Sequence, residues 1–108
     1  MVINVLDINK KTALQYAVCM QNYDVIELIL IYQNLIINNL DNDGKSVIHY
    51  SCEFLDYKLL QLLSDYHLTQ INLRNDKGES SMIIAIRSCK KEKDIYYLLK
   101  FIKLILKK

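Results

Sequence analysis

His49 and Cys52 stand one helical turn apart, and with His67 they are the side chains most able to bind a metal or to pair a nucleophile with its base. A zinc site needs three or four converging ligands, and a Cys–His nucleophile also needs an oxyanion donor and an orienting third group. Neither set is completed here, so the expectation is structural roles for His49 and Cys52 and an exposed position for His67. Gly44-Lys45-Ser46 matches the last third of a phosphate-binding loop and follows an apolar run. However, Asn39 stands where that loop needs its first glycine, and Asp41 and Asp43 would set carboxylates against the phosphate. The tripeptide therefore reads as a turn followed by a helix cap. Tyrosines recur in pairs, Tyr16 with Tyr50, Tyr23 with Tyr57 and Tyr32 with Tyr66, and such rings could stack nucleic-acid bases. A stacking platform needs a basic groove, whereas the neighbours here include Asp24, Glu53 and Asp65. No catalytic residue, metal ligand, cofactor or nucleic-acid partner is expected.

The paired tyrosines share one spacing, 34 residues, and so does much of the chain. Ile3, Ile37 and Ile71 follow it, as do Asn4, Asn38 and Asn72, and Asp7, Asp41 and Asn75. The stretch 42–51 returns in degraded form at 76–85 and at 8–17. A period of this length marks units that bury their apolar faces only against their neighbours.

The residues carrying the repeat are Thr12-x-Leu14-x-x-Ala17, Ser46-x-Ile48-His49-x-Ser51 and Ser80-x-Met82-x-x-Ala85. They resemble the ankyrin repeat, whose core phrase is Thr-Pro-Leu-His-x-Ala in a unit of about 33 residues. The resemblance runs from Ile3 to about Leu99. Ala13, Val47 and Ser81 replace the proline, and Gln15 and Ile83 replace the histidine. The third unit gains two residues near Lys91-Glu92-Lys93. The resemblance implies an all-α solenoid of about three helix-turn-helix repeats, at about 7–40, 41–74 and 75–108, in one domain. It also implies that His49 is a hydrogen-bonding residue tying its helix to a neighbouring finger turn.

Local signals place the helices. Thr12 and Ser46 can accept from first-turn amides, with Leu14, Ala17 and Val18 following Thr12 at helical spacing. After a break at Gln21-Asn22-Tyr23, a second helix is expected from Asp24 to about Tyr32. In the second unit the helices run from Ser46 to about Phe54 and through Leu59, Leu60, Leu62 and Leu63. The third unit has a helix near Ser81 to Ser88, a charged loop at 90–93, and a final helix from Asp94 onward. Gly44 and Gly78 close Asx-rich turns in which glycine tolerates positive φ. Leu35-Ile36-Ile37 alternates weakly and reads as a finger edge.

With 108 residues, 52% of them apolar, two glycines and no proline, the chain suits a single helical core rather than a β-sandwich or a linker. No transmembrane run or signal peptide is evident. Three cysteines and the lack of any Asn-x-Ser/Thr acceptor suit a reducing, intracellular and cytoplasmic setting. From Lys90 onward seven lysines meet only Glu92 and Asp94, whereas the first 89 residues carry seven basic and ten acidic groups.

The resemblance implies a non-catalytic protein–protein interaction module, a scaffold or adaptor. Its contact surface would be Asn9, Lys11, Asn42, Asp43, Lys45, Asp76, Lys77 and Glu79 on fingers, with Met20, Glu53, Phe54 and Arg87 on first helices. The expected partner is another protein, and a membrane is not favoured. The alternative is a tether to a membrane surface or an acidic partner through the final helix, where Lys100, Lys103 and Lys107 form a stripe. Neither end reads as capped, so the expectation is a segment of a longer array. The outer side of the last helix, including some of Phe101, Ile102, Leu104 and Ile105, is expected to stay exposed and to drive self-association.

Overall fold

The computed structural model describes residues 3–66 and 68–107; the expectation for His67 lies outside them. Six helices follow one another: α1 (Ala13–Cys19), α2 (Tyr23–Ile29), α3 (Val47–Glu53), α4 (Tyr57–Ser64), α5 (Ser81–Ser88) and α6 (Asp94–Lys107). No strand occurs among the described residues, so the fold is all-α. Helix α2 stops at Ile29, short of the expected Tyr32, because Leu30 caps it and Tyr32 N–H turns back to the Ile29 carbonyl.

Polar side chains at fixed places set these boundaries. Thr12, Ser46 and Ser80 each accept from the backbone amide three residues on, and Asn22 and Asp56 do the same for α2 and α4. In the first two units the cap is reciprocal, since Gln15 and His49 return a bond to the cap residue's own amide. Helices α1 and α3 end alike. Gln21 (φ 52°) and Leu55 (φ 49°) adopt the left-handed conformation, and Asn22 and Asp56 N–H groups reach back to Ala17 and Ser51 carbonyls at 3.1 Å. In the third unit Cys89, at the same position, stays extended, and the two extra residues form the loop before α6.

The 34-residue spacing is a spacing of turns as well as of letters. Asp7, Asp41 and Asn75 each accept from the amides two and four residues later at 2.9–3.1 Å, closing three identical loops. Lys10 (φ 58°), Gly44 (φ 72°) and Gly78 (φ 76°) sit at the left-handed point of each. Only Gly44 is also crowded: a Cβ there would lie 2.0 Å from Asp76 Cγ, because Asp76 N–H donates to the Gly44 carbonyl at 3.2 Å. The Asn4 and Asn38 series is a set of staples. Asn4 bridges the Asn34 carbonyl and the Ile36 amide, and Asn38 bridges Leu68 and Gln70 one unit later, all at 2.8 Å.

Leu14, Val18, Ile26, Ile48, Cys52, Leu59, Leu60, Leu63, Ile84 and Phe101 form the centre of a continuous core. Leu35 and Ile37 also turn inward while Ile36 is exposed, which explains the alternation without a strand. Helix α3 packs between α1 and α5, and α6 closes the far side against α5 and α4. The body measures 43 × 26 × 23 Å.

Candidate partner-binding surface

The three loops stack on one another. Asn42 N–H donates to the Asn9 carbonyl at 2.9 Å and its side-chain amide reaches the Ile8 carbonyl at 3.2 Å, while Asp76 docks on Gly44 as above. Asn9, Asn42, Asp43, Asp76 and Lys77 are left exposed along this row. At the ends of α1 and α3, Met20 (75% exposed) and Phe54 (39%) occupy the same unit position. Phe54 is steadied by Tyr50, ring centroids 6.2 Å apart.

The charged candidates are mostly paired. Lys45 Nζ lies 3.0 Å from Glu53 Oε1, and Arg87 meets Glu79 one unit on, at the same two positions with the signs exchanged. These two pairs lie along the edge where loops meet first helices. Lys11 departs from its expected role as a free contact. Its ammonium is 3.0 Å from Asp41 Oδ2, whose side chain is fully buried, and 5.6 Å from the Tyr50 ring centroid. It is a junction residue linking the first unit to the second. Asp41 also accepts from the Tyr50 hydroxyl, and Tyr16 repeats that bond to Asp7 in the first unit. Burial opposes ionisation of Asp41, but Tyr50, Lys11 and the Lys45 amide outweigh it and hold the carboxyl below its ordinary value. Stacking of the loops, which no local sequence signal announces, makes the pairing of Lys11 with Asp41.

The residues whose types could do chemistry are occupied otherwise. His49 is fully buried; its Nδ1 accepts from Ser46 N–H at 2.8 Å and its Nε2 lies 2.7 Å from the Leu73 carbonyl. Since the amide must donate to Nδ1, the proton sits on Nε2, which fixes the neutral tautomer. Burial depresses its pKa, partly offset by the Leu73 carbonyl. Gln15 reproduces this bridge: its Oε1 accepts from Thr12 N–H, and its Nε2 donates to the Asn39 and Lys45 carbonyls at 3.0 Å. Burial pushes the Cys52 thiol up to about 12, far from a nucleophile's range. Lys45 faces Glu53 and Ser46 caps α3, so Gly44-Lys45-Ser46 is a turn and a cap. No cluster of three or more His, Cys, Asp or Glu able to hold a metal occurs among the described residues.

Helix α6 differs from expectation. Phe101 is fully buried and Ile105 nearly so, with Phe101 set edge-on to Tyr57 at 6.2 Å. Ile102 and Leu104 are half-buried. The outer apolar side chains are instead Ile95, Leu99 and Leu106. Phe101 and Ile105, one turn apart, share the face that α6 packs against α5 and α4. No described helix is long and apolar enough to cross a membrane. No protein-family model matches the chain, and a search of curated proteins finds no match.

Proposed function

We propose that the chain is an ankyrin-repeat module with no catalytic activity, a scaffold that binds another protein through its stacked loops and the adjoining ends of its first helices. The observation that carries this reading is the row of exposed residues on the stacked loops, with Met20 and Phe54 exposed at the ends of the first helices. A large flexible side chain and an aromatic ring, rimmed by polar loops and self-neutralised ion pairs, have the composition of a protein contact site. The side chains that look catalytic serve as a helix cap, a bridge from α3 to the Leu73 carbonyl and core packing. Three unpaired thiols, Cys19, Cys52 and Cys89, fit a reducing intracellular setting.

The test uses a partner captured by the immobilised chain and then purified. The triple variant Met20→Ala/Phe54→Ala/Lys77→Ala should melt like the wild type, because all three side chains are exposed, yet bind that partner about tenfold or more weakly. Equal affinity for the two proteins would place the interface elsewhere.

A further inference from the structure

Helix α6 presents two stripes side by side. Ile95, Leu99 and Leu106 are 49%, 54% and 72% exposed, with half-buried Ile102 continuing the line. Lys103 lies four residues after Leu99 and three before Leu106, so it borders the same face. Lys100 and Lys107 extend the charged stripe by one turn on either side. Lys100 is steadied over two rings, 5.3 Å from the Tyr57 centroid and 4.7 Å from Tyr96. Exposed Tyr96 and Tyr97 lie at the helix start. No acidic residue follows Asp94, and the excess of lysine over acid that begins at Lys90 sets this end apart from the acid-rich remainder.

We infer that α6 seats the chain on an anionic lipid bilayer surface. The charge complementarity is one-sided: lysines line the helix while the acid-rich body would be repelled, which orients the molecule with α6 toward the lipid. The aliphatic stripe spans about 17 Å of helix at 1.5 Å per residue. That length of exposed Ile and Leu lies in the plane of the helix axis and suits a fluid headgroup boundary, with the flexible lysine stems reaching outward to phosphate. An acidic protein would satisfy the lysines but would have to supply a complementary apolar groove as well. The surface is separate from the strip of loops and first-helix ends, so the two activities can fail independently.

The experiment is co-sedimentation of the 108-residue chain with vesicles of phosphatidylcholine alone and of phosphatidylcholine mixed with phosphatidylserine. Partitioning onto the anionic vesicles should be about tenfold or more stronger and should fall steeply as salt shortens the screening length. Lys103→Glu/Lys107→Glu should abolish it. Leu99→Ser/Leu106→Ser should weaken it while leaving its salt dependence, and both variants should keep the wild-type helical spectrum because the altered side chains are exposed. The Met20/Phe54/Lys77 variant should bind vesicles normally. Equal binding to both vesicle types, or undiminished binding by the lysine variant, would overturn the inference. So would capture by a polyglutamate peptide without any capture by vesicles, which would assign the stripe to an acidic polypeptide.

Discussion

Val18, Cys52 and Ile86 occupy one position in the three units, yet the first two are fully buried and Ile86 is 51% exposed. Gln15, His49 and Ile83 make the same contrast: 1%, 0% and 49%. At these two positions, the side chain is buried where another unit follows it. The pattern of apolar letters specifies which face a helix offers, and the neighbour decides whether that face becomes core. At these positions the first two units hold core residues, while the equivalent residues in the third unit are partly free.

The sharpest way to break that comparison is to place the same charge at matched positions. Ile48→Asp and Cys52→Asp each put a carboxylate into a fully enclosed site, and a cost of about 4 kcal/mol or more should leave the chain largely unfolded. Ile86→Asp should cost under about 0.5 kcal/mol, since its side chain already meets solvent. Thermal melting followed by circular dichroism separates the cases. Equal losses at Cys52 and Ile86 would mean that burial does not track the presence of a following unit.

A smaller effect is expected at the charged pairs. Lys11 and Lys45 share a unit position, but Lys11 crosses to a buried Asp41 whereas Lys45 meets Glu53 within its own unit, each side chain about one-third exposed. Lys11→Met should cost about 2–4 kcal/mol by stranding a buried carboxylate. Lys45→Met should cost under about 1 kcal/mol. Adding Asp41→Asn to Lys11→Met should recover much of the loss. Denaturant titration of the four proteins checks this, and a Lys45→Met loss as large as that of Lys11→Met would contradict the assignment.

Much of this was legible because it is local. The turns need an Asx side chain two and four residues before the amides it binds, and the caps need a hydroxyl three residues before its amide, so Asp7, Asp41, Asn75, Thr12 and Ser46 declare themselves in sequence. Gly44 and Gly78 marked two left-handed turns, but the same geometry at Lys10, Gln21 and Leu55 carried no glycine to announce it. The inner side of α6 is not legible in the sequence, because apolar residues occupy most of its positions and Phe101 could face either way until α4 and α5 are packed against it. Lysine is ordinarily exposed, so Lys11 reads as a surface residue in sequence; only the unit-to-unit geometry brings it over Asp41.

The subtlest contrast lies between His49 and Gln15, two side chains making the same bridge with different acid–base chemistry. Both accept from the cap residue's amide and both reach the carbonyl 24 residues on, Asn39 from Gln15 and Leu73 from His49, but only His49 can take up a proton. Protonating Nδ1 would remove the acceptor for Ser46 N–H and leave a charge in the core. The folded chain therefore resists protonation, and His49 has a folded pKa below its ordinary 6.5. The unfolded chain binds that proton first as pH falls, so the stabilisation is complete above about pH 6.5 and is lost as pH drops through the folded pKa. The carboxyl of Asp41 is held below its ordinary 3.8, so its contribution is lost only as pH falls below that value. His49→Gln should remain folded at neutral pH, within about 1 kcal/mol of wild type, because glutamine already makes this bridge in the first unit. Its melting temperature should then vary less than that of wild type between about pH 7 and 5. A pH profile parallel to wild type would show that His49 does not couple this junction to protons.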